Sequence, residues 1–248
     1  MARSPSQWQS LGLKPDRAVM TAIIGLTLVW LVFVVGGMPM KAFYVSHLIL
    51  TPRMALGPQP WQLLTAGFIH LRLGELFMTV VMLIFFGNPI ERQLGARAFW
   101  KIFVGGAVAG ALGGALLGRV LTPNLPIPIS IASTTALLLA FGAAWGSQST
   151  MAYGMMQMRA STMALIFFGI TVVSCLVQIE DIGWRAVMTE LAALVAAAGA
   201  GWVLASRGRG KSGGLGGSLD KMRMWRLKRR YKVLTGGRDS RDDSRWLN

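Results

Sequence analysis

The sequence predicts an all-α fold, a polytopic membrane helix bundle with a six-transmembrane core. Three observations carry this reading. Of 248 residues, 53% are hydrophobic and only 14% charged, where soluble domains run at roughly 25% charged. Mean hydropathy is +0.51. The apolar residues gather into six runs of spanning length, broken by polar or Gly/Pro-rich stretches. This composition excludes a disordered chain and argues against a soluble globular domain.

Residues 18–35 form an apolar run long enough to cross about 30 Å of hydrocarbon. The run is too long for the core of a signal peptide, and no small-residue cleavage pattern follows, so it reads as a retained signal anchor. A more polar stretch occupies residues 36–60. Helix 2 is expected over residues 68–87, stopped by Asn88 and Pro89. Helix 3 covers residues 98–117, helix 4 begins near Pro128 and ends near Trp145, helix 5 covers 161–178 and helix 6 covers 186–205. The chain therefore divides into a cytoplasmic N-terminal segment (1–17), a membrane domain (18–205) and a basic, Gly-rich cytoplasmic tail (206–248).

The net charge of +15 is concentrated at the C-terminus. Residues 206–248 hold 13 of the 25 Lys and Arg and 4 of the 10 acids, a surplus of 9. With both termini inside, inner segments carry 20 cations and outer segments 5, namely Lys41, Arg53, Arg72, Arg119 and Arg185. That asymmetry places both termini in the cytoplasm, and the expected location is a bacterial inner membrane. The tail reads as a flexible linker (208–217) and then a basic stretch (219–234) with Met224, Leu227, Tyr231 and Leu234 on one face. It fits either a helix lying on anionic lipid or a solvated arm whose charge sets topology. No nucleic-acid motif accompanies the charge, so no nucleic-acid partner is expected. Two histidines, one cysteine and no ligand spacing give no metal site. Gly210-Lys211-Ser212 follows no strand and forms no phosphate loop, so no cofactor is expected.

Gly106, Gly110, Gly114 and Gly118 recur every fourth residue along helix 3 and share a face. Such a stripe lets a second backbone approach closely. Packing within the chain is the favoured reading, and a homodimer seam is the other. Ionisable groups inside a bilayer are costly and point to function. Two acids qualify, Glu75 and Glu190. Helix 4 adds Ser130, Ser133, Thr134 and Thr135, hydroxyls that commonly bond back to their own helix. Glu190, Ala193, Ala197 and Gly201 share a face, which makes Ser133 the expected neighbour of Glu190.

Two motifs then stand out: Trp61-x-x-x-Thr65-x-x-Phe68-x-His70, and Gly87-x-x-x-Glu91-Arg92-x-x-Gly95. With six spans and inner termini, they resemble the rhomboid intramembrane serine proteases over about residues 18–205. The resemblance implies a rhomboid-like core whose first outer segment packs partly into the interface. In rhomboids a serine in Gly-x-Ser-Gly is the nucleophile and a histidine on the sixth helix is the base. A His and an Asn on the second helix help bind the oxyanion. Here the serine motif reads Ile131-Ala132-Ser133-Thr134, with both glycines gone. Glu190 holds the base position, and Glu75 and Thr79 hold the oxyanion positions. His70 matches an outer histidine of the family.

A serine hydroxyl is a weak nucleophile without an adjacent base. Loss of one oxyanion donor costs on the order of 10²–10³ in rate. The leading expectation is a pseudoprotease that binds transmembrane segments of client proteins without cleaving them. The alternative is an active intramembrane serine endopeptidase with Ser133 as nucleophile, Glu190 as base, and Glu75 and Thr79 as oxyanion donors. A third reading makes Glu75 and Glu190 the paired acids of a proton-coupled carrier.

Overall fold

The computed structural model describes residues 15–146, 149–152 and 156–207, without side chains for 149–152 and 156–158. The chain divides into Met1–Ser206 and Arg207–Asn248. The basic tail beyond Arg207 and the first fourteen residues lie outside the described residues. Expectations for the amphipathic stretch 219–234 and the linker therefore rest on sequence alone.

Helix α1 runs Arg17–Val35, followed by α2 (Gly37–His47), α3 (Pro52–Ala55) and α4 (Gln62–Thr65). A 3-10 turn, Ala66–Phe68, leads to α5 (Leu73–Met82), which widens into a π-turn at Leu83–Gly87 and continues as α6 (Asn88–Leu94). Next come α7 (Ala96–Leu121), α8 (Ala132–Trp145), a hairpin of β1 (Ser149–Ala152) and β2 (Met156–Arg159), α9 (Ala160–Val177) and α10 (Ile179–Ile182). The last helix, α11, is Trp184–Arg207. The fold is a polytopic helical membrane bundle, and the hairpin is a small departure from the all-α expectation.

Among the described residues, five helices are long and apolar enough to cross a membrane: Arg17–Val35, Leu73–Leu94, Ala96–Leu121, Ala160–Val177 and Trp184–Arg207. The fourth expected span differs. Helix α8 has 14 residues, about 21 Å at 1.5 Å per residue, and every one but Leu139 is buried. It is an inner strut with almost no face for lipid. It starts at Ala132 rather than near Pro128, because a proline disfavours helical backbone in the residue before it, which keeps the stretch around Pro126 and Pro128 out of the helix. Ile127 between them pairs with Leu50 as an isolated bridge, its N–H donating to the Leu50 carbonyl at 2.8 Å.

Helix 2 also shifts. It starts at Leu73, not Phe68, and continues past Pro89 to Leu94. Proline suits the first turn of a helix, and the π-turn before it absorbs the donor that Pro89 lacks.

The two sequence motifs act as clasps. At one end, the Glu91 carboxylate accepts N–H bonds from Ala18 (2.8 Å) and Val19 (2.9 Å), two donors that the start of α1 would leave orphaned. Asn88 Oδ1 accepts from Asp16 N–H, and Arg92 pairs with the Asp16 carboxylate. Gln93 Oε1 accepts from the Trp145 indole at 2.7 Å, tying in the end of α8. Gly95, with φ +87°, makes the turn into α7, a conformation that side chains resist. At the other end, the Trp61 indole donates to the His47 carbonyl and the Thr65 hydroxyl to that of Leu48. The fully buried Gln62 accepts from Thr51 N–H.

The glycine stripe is occupied within the chain. Gly106 faces Ala136 and Gly110 faces Ala132 on α8, Gly114 meets Ala193 on α11, and Gly118 meets Pro52 and Thr189. From the other side, Gly201 on α11 lies against the Ala136 backbone. Helices α7, α8 and α11 thus touch almost backbone to backbone. Phe86 in the π-turn makes edge contacts with Phe141 of α8 and Phe167 of α9, at 5.4 and 5.5 Å between ring centres. This aromatic cluster closes the core on the side away from the glycines.

Candidate functional site

Four elements converge on the polar centre: the 3-10 turn and link before α5, the first turn of α8, and the facing parts of α9 and α11. Ser133 lies in the first turn of α8 and is 1% exposed. Its hydroxyl donates to the Gly67 carbonyl at 3.4 Å or the Ser130 carbonyl at 3.5 Å. Thr134 and Thr135 both bond back to the Ile131 carbonyl, at 3.0 and 2.9 Å. Those two hydroxyls satisfy themselves locally, as Ser and Thr in apolar helices do.

His70 is buried just ahead of α5. Its Nδ1 lies 3.1 Å from the Phe68 carbonyl, which can only accept, so Nδ1 carries the proton. Nε2 then accepts from the Thr79 hydroxyl at 2.9 Å. Burial pushes the His70 pKa down to about 4, although the Phe68 hydrogen bond opposes the shift. The imidazole is therefore neutral near pH 7. Thr79 is buried and its only proton is committed to His70.

Glu75 is half-buried in the first turn of α5, where its carboxylate accepts Leu71 N–H at 3.4 Å. A helix N-terminus favours negative charge. Glu190 is buried on α11. Its carboxyl lies beside the Cys175 thiol of α9 and within electrostatic reach of Glu75.

The structure therefore brings Glu190 and Glu75 within electrostatic reach but gives Glu190 a partner other than the expected one. No hydrogen bond joins Ser133 to Glu190 among the described residues. The helices are close all the same: Gly110 touches both Ala132, next to Ser133, and Ala193, one turn beyond Glu190. Cys175 is the residue that sequence reasoning missed. Ala160, Ala164, Thr171 and Cys175 are the buried positions of α9. Their small size at helical spacing marks the inward face, and that pattern would have pointed Cys175 at the core. Among the described residues, no group of three or more His, Cys, Asp or Glu could hold a metal ion.

A family model described as eukaryotic integral membrane protein (DUF1751) matches residues 17–205. The chain belongs to this family. The DUF1751 match begins with α1 and ends in the last turns of α11, so it takes in the whole helical core and both clasps. Comparison with curated proteins gives no match. Family and apolar helices together make this DUF1751 member a multi-pass integral membrane protein. The family's description is eukaryotic, so it lends no weight to the expected bacterial inner membrane.

Proposed function

We propose that this DUF1751 member has a rhomboid-like core and works as a pseudoprotease, binding transmembrane segments of client proteins without hydrolysing them. One observation carries the reading. The Ser133 hydroxyl hydrogen-bonds to backbone carbonyls, and no basic group among the described residues accepts its proton. The two groups that would complete a reworked site are engaged elsewhere. Glu190 has the Cys175 thiol beside it, and Thr79 gives its proton to His70. An unactivated serine without aligned oxyanion donors lacks the terms that make acyl transfer fast. The order of helices, with a short buried helix that carries Ser133 in its first turn and a buried acid, Glu190, on the last helix, supports the rhomboid-like reading.

The test is labelling by a serine-reactive fluorophosphonate in lipid vesicles, beside Ser133→Ala. No labelling of either folded protein is the expected outcome. Labelling that disappears in Ser133→Ala would overturn the proposal and make Glu190 the base to substitute next. Client binding is tested by photocrosslinkers placed on exposed residues of α5 and α9, such as Phe77 and Ile170. Captured single-span membrane proteins, intact rather than cleaved, are expected.

A further inference from the structure

Three arginines from separate segments flank one junction at the end of the bundle opposite the start of α1. Gly118 organises the junction. A Cβ there would lie 2.5 Å from Pro52 Cγ and 2.8 Å from Thr189 Cγ2, so α3, the last turn of α7 and the beginning of α11 come together. Hydrogen bonds hold them. Arg53 N–H donates to the Pro123 carbonyl at 2.9 Å. The Thr189 hydroxyl donates to the Arg185 carbonyl at 2.9 Å, and the Thr122 hydroxyl to Thr189 Oγ1 at 3.2 Å. Around this junction Arg53, Arg119 and Arg185 are exposed. Arg185 lies over the Trp184 ring, 5.5 Å from its centre.

None of the three arginines forms an ion pair among the described residues. The acids at this end are Glu180 and Asp181 in α10 and Glu75, whose carboxylate turns to Leu71 N–H. Directly along α7 from Arg119 lie Leu116 and Leu112, 64% and 39% exposed. Positions 112, 116 and 119 share a helical face. The surface is thus an exposed apolar stripe headed by guanidinium groups, with Trp184, 54% exposed, beside it. An amphiphile with an anionic head matches that shape. Guanidinium binds phosphate oxygens through paired N–H donors. A zwitterionic head brings its own ammonium into the same cluster, so a net negative head is preferred.

We propose that Arg53, Arg119 and Arg185 hold the phosphate of an anionic phospholipid, whose acyl chains lie along Leu116 and Leu112. The site is separate from the polar centre around Ser133.

Full-length protein is reconstituted in vesicles doped with a photoactivatable phosphatidylglycerol or the matching phosphatidylcholine, and crosslinks are mapped by peptide. The anionic probe is expected to label the 112–125 segment about tenfold more than the zwitterionic one, the factor of one charge-assisted hydrogen bond. Arg53→Gln/Arg119→Gln/Arg185→Gln should abolish the preference there, while labelling near Arg97 and Lys101, at the other end of α7, stays as it was. That second peptide also reports that the bundle is intact. Arg119→Gln alone is carried in parallel, with a partial loss expected, in case the triple variant fails to reconstitute. Equal labelling by the two probes overturns the proposal, and so does a preference that survives the substitutions or falls alike at both ends.

Discussion

His70 is a neutral histidine fixed by two bonds, and its burial has a pH consequence. Its pKa is about 4 in the folded protein against about 6.5 in an unfolded chain. Between those values the unfolded state binds the extra proton, so acidification favours unfolding. The stabilising effect is complete above about pH 6.5 and declines by as much as about 1.4 kcal/mol per pH unit until about pH 4. Thermal unfolding in detergent at pH 5 and pH 7.5 should show this slope, and His70→Gln should flatten it; an unchanged slope would assign the effect to other groups. Thr79→Val leaves Nε2 without its donor and should cost about 1–3 kcal/mol, read by the same melts. At this scale the sequence was partly legible. It singled out Ser133, Thr79, Glu75 and Glu190, and the fold gathers them in one region. It did not show who bonds to whom. Glu190 could face any polar group at its height, and only the rotation of α9 decides that Cys175 meets it.

Among the elements, α1 depends on a residue 73 positions away. Asp16 stands at its N-cap, yet its carboxylate goes to Arg92, and Glu91 supplies the cap from a different helix. Glu91→Ala should therefore loosen α1 at one end, at a cost of about 2 kcal/mol, seen as a lower melting temperature and faster proteolysis near Arg17. Glu91→Gln should recover part of the loss, since an amide oxygen can still accept one of the two bonds. Helix bounds for α1, α7, α9 and α11 were readable to within a few residues because apolar length is the dominant signal. The starts of helices 2 and 4 were not. Apolarity does not distinguish a helix from a buried non-helical link, and residues 69–72 and 126–131 are such links, held by the His70 bond to the Phe68 carbonyl and the Ile127 bond to the Leu50 carbonyl.

For the whole molecule, the glycine stripe is filled by α8, α11 and Pro52, so a dimer of this chain would have to form on another face. The first clasp, the start of α7 and the end of α11 share one end of the bundle, while Arg53, Arg119 and Arg185 mark the other. In a Cys175→Ser background, cysteines placed at Arg97 and Arg159 should react with an impermeant maleimide from one side of sealed vesicles. Cysteines at Arg53 and Arg185 should react only from the opposite side. Reaction of both sets from one side would contradict this arrangement of crossings. The long crossings were legible because apolar length marks them, whereas the internal seat of α8 depends on contacts that no local pattern encodes.

The seat of α8 also constrains biosynthesis. A helix of 14 residues with scarcely any lipid face has no stable place in a bilayer by itself. In its lead-in, the Ile127 N–H finds its partner on a segment made earlier, the Leu50 carbonyl. Helices α1 to α7 must therefore already form a cradle when it leaves the insertion machinery, and α11, synthesised last, closes it through Gly201. Until that closure the chain holds an unfinished, partly polar interior, and this is the stage at which it most needs a membrane chaperone.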